Sequence, residues 1–187
     1  MDNTNETYLI DASHSRIGFV VRHLGFSKVR GSFEQFEGTI RMNNGDLSTL
    51  RAEVSIQAAS VTTNEATRDN HLRTGDFLLV EEYPTITFKG NEVRDISGNS
   101  FTLVGEFTLR GVTKTIELEG EYLGSAKDPW GNTKTAFEAR TKISRKEYGV
   151  NWNAALETGG FLVSDDVEIV LEVQATQQTV PAPAPEA

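Results

Sequence analysis

The sequence predicts an all-β fold, an extended eight-stranded antiparallel barrel with one short helix. Three observations carry that prediction. Long stretches alternate between apolar and polar residues, turn signals separate them, and glycines together with one break in parity fall inside strand patterns. Side chains alternate faces along a strand, so strict alternation marks a half-buried strand. One buried face and one wet face are the mark of antiparallel sheet. A sheet without helices on its faces buries its apolar side by closing on itself or pairing with a second sheet.

The first strand is the most informative. In "DASHSRIGFVVRH", Ile17, Phe19, Val21 and His23 share one parity, against Arg16, Gly18, Val20 and Arg22. The serine, histidines and aspartate of this stretch do not make a catalytic triad, because adjacency in sequence does not supply convergence on one point. The pattern reads instead as a strand whose inner face ends in His23. Next, Phe33 is odd while Phe36, Gly38, Ile40 and Met42 are even, which predicts a β-bulge at Glu34 or Gln35 that keeps both phenylalanines inside. Such bends are what closing a sheet requires. Leu50, Ala52, Val54, Ile56 and Ala58 form a further apolar face.

Residues 62–77, "TTNEATRDNHLRTGDF", break the pattern and read as a short helix, with Thr63 or Asn64 as N-cap and Gly75 as stop. Alternation returns with Phe101, Leu103, Gly105, Phe107 and Leu109, then with Val112, Ile116, Leu118, Gly120 and Tyr122, and finally with Val167, Ile169, Leu171 and Val173. "NNGD", "SGN", "RG" and "DPWGN" supply the turns. The run from Val112 to Tyr122 spans roughly 36 Å at ~3.3 Å per residue. With strands tilted by about 40°, the barrel stands about 28 Å tall. The interior is therefore expected to be long and narrow.

Composition narrows the function. The chain has 187 residues, 18 basic and 27 acidic, with a formal net charge of −9. That balance argues against nucleic acid, whose phosphates select basic surfaces, and against electrostatic docking on anionic lipid. There is no cysteine, so disulfides, thiolate nucleophiles and zinc–cysteine sites are excluded. The polar start "MDNTNETYLI" has no secretory character, and no apolar run approaches a membrane span. A cytoplasmic location is expected of the chain as it stands, and a periplasmic one if a leader was removed. An acidic surface with exposed strand edges allows a homodimer without demanding one.

Four stretches together resemble the YceI-like, polyisoprenoid-binding family: "YLIDASHSRIGFVVRHLGFSKVRGSFEQFEGTI", "SVTTNEATRDNHLRTGDFLLVEEYPTITF", "VGEFTLRGVTKTIEL" and "ISRKEYGVNW". The resemblance covers residues 8–175, leaving a polar, disordered N-terminus at 1–7 and a Pro/Ala-rich disordered tail at 176–187. It implies a lipocalin-like barrel that binds, transports or stores a long-chain isoprenoid or similar amphiphile in a tunnel. It also implies bacterial or archaeal relatives, often periplasmic, linked to isoprenoid quinones or stress responses, with no catalytic residues. No cofactor or metal is expected. Leu78 stands where the family commonly has a second aromatic or a small residue, a local change in the pocket.

The candidate ligand-binding residues are Phe19, Val21, His23, Phe33, Phe36, Arg68, His71, Phe88, Leu103, Phe107, Ile116, Phe137 and Trp152. The aromatic ones, with Phe161, fill a core in an ordinary β-domain and line a cavity in a ligand barrel, and periodicity does not separate the two. His14, His23 and His71 are the only histidines, and they lack the spacing of zinc motifs. His23 reads as a polar anchor at the barrel end. Arg68, Asp69 and His71 line the same mouth if the helix caps it, or form a solvated helix face if it does not. Arg145 and Asn151 have the same two readings, and Trp130 reads as a surface plug in its turn. The rivals to a carrier are an enzyme acting on the ligand's headgroup through the histidines, and a structural barrel with a filled core.

Overall fold

The computed structural model describes residues 6–178. Its strands are β1 (Glu6–Ile10), β2 (Arg16–His23), β3 (Ser27–Phe33), β4 (Phe36–Asn43), β5 (Asp46–Gln57), β6 (Val61–Thr62), β7 (Thr85–Ser97), β8 (Ser100–Leu109), β9 (Val112–Lys127), β10 (Thr133–Ser144) and β11 (Val163–Gln177). One helix, α1 (Ala66–Arg73), crosses between β6 and β7. Every pairing is antiparallel, and the ring β1-β4-β5-β7-β8-β9-β10-β11 closes through β11 onto β1. This is a closed eight-stranded barrel, as the alternation predicts.

Two staves of the barrel are broken. β1 and β2 form one stave interrupted by a short 3₁₀ turn at Ala12–His14, and β3 and β4 form its neighbour. The expected bulge at Glu34 or Gln35 is in fact a break between β3 and β4: neither residue is part of a strand, the Glu34 and Gln35 amides donate to Ser60, and the Gln35 carbonyl still accepts from the Gln57 amide of β5. The purpose inferred from parity holds, since Phe33 and Phe36 both face the interior. Two outer boundaries move. Glu6 and Thr7 pair with Met42 and Arg41, and Gln177 pairs with Tyr8, so β1 and β11 each run two residues beyond 8–175. Residues 1–5 and 179–187, the rest of the two expected disordered ends, lie outside the described residues.

The interior is solid at one end only. Tyr8, Met42, Leu50, Phe101, Leu103 and Phe137 are buried around the end where the β4–β5, β7–β8 and β9–β10 turns lie. Phe137 meets Phe101 edge-on at 6.2 Å and Tyr122 at 5.2 Å. Close backbone approach helps pack this region. Gly105 faces Gly90 across the β7–β8 pair, and a side-chain carbon at 105 would collide with the Lys89 carbonyl. Leu103 folds over Gly90 and occupies the place its side chain would take.

The other end is covered by the segment from β6 to β7. The helix starts from Glu65 rather than Thr63 or Asn64: the Glu65 carboxylate accepts from the Thr67 and Arg68 amides at 3.0 and 2.7 Å. Thr63 serves the helix differently, donating its amide and hydroxyl to Asp69 at 2.8 and 2.5 Å. Burial alone would raise the Asp69 pKa, but hydrogen bonds from Thr63 and Thr62 and the charge of Arg73 together outweigh it and hold the carboxyl below its usual range. Arg73 donates to the carbonyls of Ala59 and Val61, and Arg110 to those of Gly75 and Phe77. The helix ends at Arg73, two residues before Gly75.

Two substitutions test this account. Gly105→Ala has only backbone to push against and should cost about 1–3 kcal/mol, whereas Gly18→Ala, whose nearest neighbours stand at 3.4 Å, should be close to neutral in thermal melts. Asp69→Asn should lower stability by about 1–3 kcal/mol at neutral pH. A carboxyl whose folded pKa is depressed stabilises above its unfolded pKa and loses that contribution as pH falls through the folded value. The gap between parent and variant should therefore narrow below about pH 4, as melts across pH would read directly.

Candidate functional site: a blind apolar cavity

The half of the barrel beneath α1 is hollow. It encloses about 600 Å³, within the range of small-molecule sites, with walls that are almost wholly apolar. Each wall comes from the inward parity of a strand. β2 contributes Ile17, Phe19, Val21 and His23, as its alternation predicts; Arg16 stays exposed, but Gly18 and the largely exposed Arg22, of the opposite parity, also border the cavity. β7 and β8 contribute Phe88 and Phe107, paired directly across the ladder, and β9 contributes Ile116 and Leu118. Phe33, Phe36, Val54 and Ile56 complete one side, and Val167, Ile169, Leu171 and Val173 the other.

Of the thirteen candidate residues, Phe19, Val21, His23, Phe33, Phe36, Arg68, His71, Phe88, Phe107, Ile116 and Trp152 line this cavity. Leu103 and Phe137 do not. Both point inward as parity requires, but they lie at the solid end, where they pack with Phe101 and Tyr122. The expected tunnel is accordingly a blind cavity with a single mouth. Phe161 is also displaced from the expected interior, being 61% exposed on the loop before β11. Trp130 is exposed in its turn, whose Asp128 carboxylate accepts from the Trp130 and Asn132 amides.

Polar groups gather at the mouth. Arg68 donates to the Thr63 hydroxyl at 2.7 Å and to the Thr63 carbonyl at 3.1 Å, holding its guanidinium against the cavity rim. His71 lies 2.7 Å from the Asp76 carboxylate and stands edge-on to Phe77 and Trp152, at 5.0 and 4.9 Å between ring centres. Asp69 is not part of the rim, because it is turned toward Thr63 and buried. Arg145 is a buried cation in the cavity wall. It donates to the carbonyls of Ser164, Val150 and Trp152, which fixes the loop after β10, and its Nη2 lies 3.7 Å from Asp165. Burial lowers its pKa and Asp165 opposes that shift. Asn151 is exposed and stands apart.

The histidines do not converge. His23 and His71 line the cavity, but His14 is exposed on the 3₁₀ turn, bonded at 3.0 Å to both Ser13 and Asp11. Ser13 donates to Asp11 directly, so the trio forms a local cap and not a relay, and these bonds pull the Asp11 pKa down to about 2. Among the described residues no three histidines or carboxylates are grouped to hold a metal ion.

Several lining residues were not singled out from sequence. Phe77, Val150 and Leu162 come from irregular segments, where no periodicity points inward. The signal for Phe77 is the apolar run "FLLV" directly after the polar helix, which also brings Leu78 to the cavity.

Comparison with known proteins agrees with this geometry. The model of the YceI-like domain matches residues 8–175. A UPF0312 protein of Staphylococcus aureus is 39% identical over 166 residues, covering 88% of this chain and 93% of the relative. Among solved structures, Burkholderia cenocepacia BcnA superposes with a TM-score of 0.78 at 19% identity, covering 89% of this chain and 99% of that one. A polyisoprenoid binding domain from Saccharophagus degradans superposes with a TM-score of 0.65 at 16% identity, covering 91% and 98%. By the extent of the domain match and the identity to its relatives, the chain belongs to the YceI-like family.

Proposed function

We propose that this protein is a non-enzymatic carrier or store for an amphiphile with a long apolar tail, of the isoprenoid class, held tail-first in the barrel. The observation that carries this reading is the blind cavity of about 600 Å³, apolar along its depth and polar only at its mouth. Each methylene-sized unit moved from water into such walls contributes about 0.8 kcal/mol. A headgroup at the rim meets Arg68 and His71, which matters because an unpaired buried polar group costs roughly 1–3 kcal/mol. The relative described as a polyisoprenoid binding domain supports the same ligand class. Of the histidines that the enzymatic alternative draws on as acid and base, His14 stands apart from the cavity, which leaves that reading His23 and His71 alone.

The test is direct. Mass spectrometry of an organic extract of the purified protein should find a co-purifying isoprenoid, and the delipidated protein should bind geranylgeraniol in titration. Ile116→Trp fills free space in the wall and should weaken that binding at least about ten-fold, with a melt close to the parent's. Unchanged affinity in this variant would place the tail elsewhere.

A further inference from the structure

The turn between β2 and β3 is built against its own local preferences. Leu24 and Gly25 both adopt positive φ, 56° and 79°, and the Phe26 amide donates back to the His23 carbonyl at 3.3 Å. A turn with both central residues in this conformation favours Asn-Gly, and a leucine in the left-handed region is strained. The leucine gains little burial in return. Leu24 is 38% exposed, and Phe26 beside it is 77% exposed. The Leu24 amide donates to the Leu162 carbonyl at 2.9 Å, tying the turn to the loop that carries the exposed Phe161. Gly25 and Phe161 border one shallow groove. Three large apolar side chains are thus exposed on these two linked segments, which adjoin His23 and Leu162 of the cavity lining in sequence, and Lys146 lies 5.7 Å from the Phe161 ring centre.

The charge on this hairpin is equally unusual. Residues 16–33 carry Arg16, Arg22, Lys28 and Arg30 and no carboxylate, in a chain of net charge −9. None of the four forms an ion pair among the described residues. Arg22 and Lys28 are directly opposed across the β2–β3 ladder, a like-charge pairing that destabilises a sheet. Glu172 lies opposite Arg16 across the β2–β11 ladder without an ion pair to it, while Asp165 is engaged with Arg145 and Lys146 and Asp166 with Lys142. The inner face of the same hairpin, Val21 and Val29, is cavity wall.

We propose that this hairpin docks the cavity mouth onto an anionic phospholipid surface. Leu24, Phe26 and Phe161 enter the acyl boundary while Arg22, Lys28 and Arg30 meet the phosphates, the arrangement of an interfacial anchor. No helix among the described residues is long and apolar enough to cross a membrane. The surplus of negative charge elsewhere repels such a surface, so it also orients the molecule mouth-down. Docking gives an apolar ligand a path that avoids water, and in that purpose it rests on the carrier reading above.

The test is co-sedimentation of the full chain with vesicles of two parts phosphatidylcholine to one part phosphatidylglycerol, and with phosphatidylcholine alone. Binding is expected only to the anionic vesicles and should be lost in high salt. Each basic side chain near such a surface contributes about five-fold, so Lys28→Gln with Arg30→Gln should weaken binding about 25-fold. Phe26→Ser should weaken it about ten-fold, and both variants should melt with the parent. No binding, equal binding to neutral vesicles, or variants that bind like the parent would overturn the proposal. So would a concentration-dependent dimer, seen by analytical ultracentrifugation, that both variants dissolve, which would assign the hairpin to a second copy of the chain. Geranylgeraniol titration of the same variants should be unchanged. A parent that binds vesicles but not geranylgeraniol removes the carrier reading alone, and the reverse removes the docking alone.

Discussion

Everything in this molecule depends on how β11 closes the barrel. It pairs with β10 along one edge, while its other edge is divided, with Val163–Glu172 against β2 and Ala175–Gln177 against β1. The changeover falls at the 3₁₀ turn, and Ser15 and Asp11 bond to the backbone of Gln174 there. The first stave can therefore bend without leaving an open seam. Closing the ring leaves few free edges, among them the outer side of β3 over residues 27–31, and so limits strand-by-strand association. It also fixes the width of the interior, because diameter follows strand number. The only remaining freedom is what fills that interior.

The two halves answer that differently. At the closed end, large side chains meet over glycines, and density approaches that of an ordinary core. Toward the mouth the residues are just as apolar but face one another across space. Hydrophobic walls without filling atoms forgo dispersion contacts, a cost that an ordinary structural barrel has no reason to carry. The covering segment over that space is held mainly by polar bonds. Arg73 and Arg110 reach backbone carbonyls and Thr63 reaches Asp69, while Phe77 and Leu78 of the same segment turn inward to the cavity.

How much of this was legible in the sequence follows the same division. Alternation alone defines β2, β5, β8, β9 and β11, and it places Phe19, Phe36, Phe107 and Ile116 on the inner face. It reports which face a residue occupies and nothing about height along the barrel axis. That is why Leu103 and Phe137 read as cavity residues and prove to be packing. Their height is set by register, in which Gly90 opposes Gly105 and Phe137 opposes Tyr122, and register is a property of strand pairs. The mouth was legible only in part. His23, Arg68, His71 and Trp152 were recognisable as polar or aromatic residues near strand and helix ends. Arg145, in contrast, is oriented by three carbonyls, two from the loop after β10 and one from the start of β11, a convergence that periodicity does not encode.

The packed end has a consequence for selectivity. Inside the hollow half, every added carbon of an entering chain exchanges water for wall, and affinity rises with length at about 0.8 kcal/mol per methylene. At the floor made by Phe101, Leu103 and Phe137 that gain stops, since further carbons must displace a close-packed core or remain outside. Under the carrier reading proposed above, the barrel would act as a ruler, measuring a chain from its buried tip, with a plateau in affinity marking the depth of the floor. Substitutions at the floor would then recalibrate the scale without touching the polar rim of Arg68 and His71.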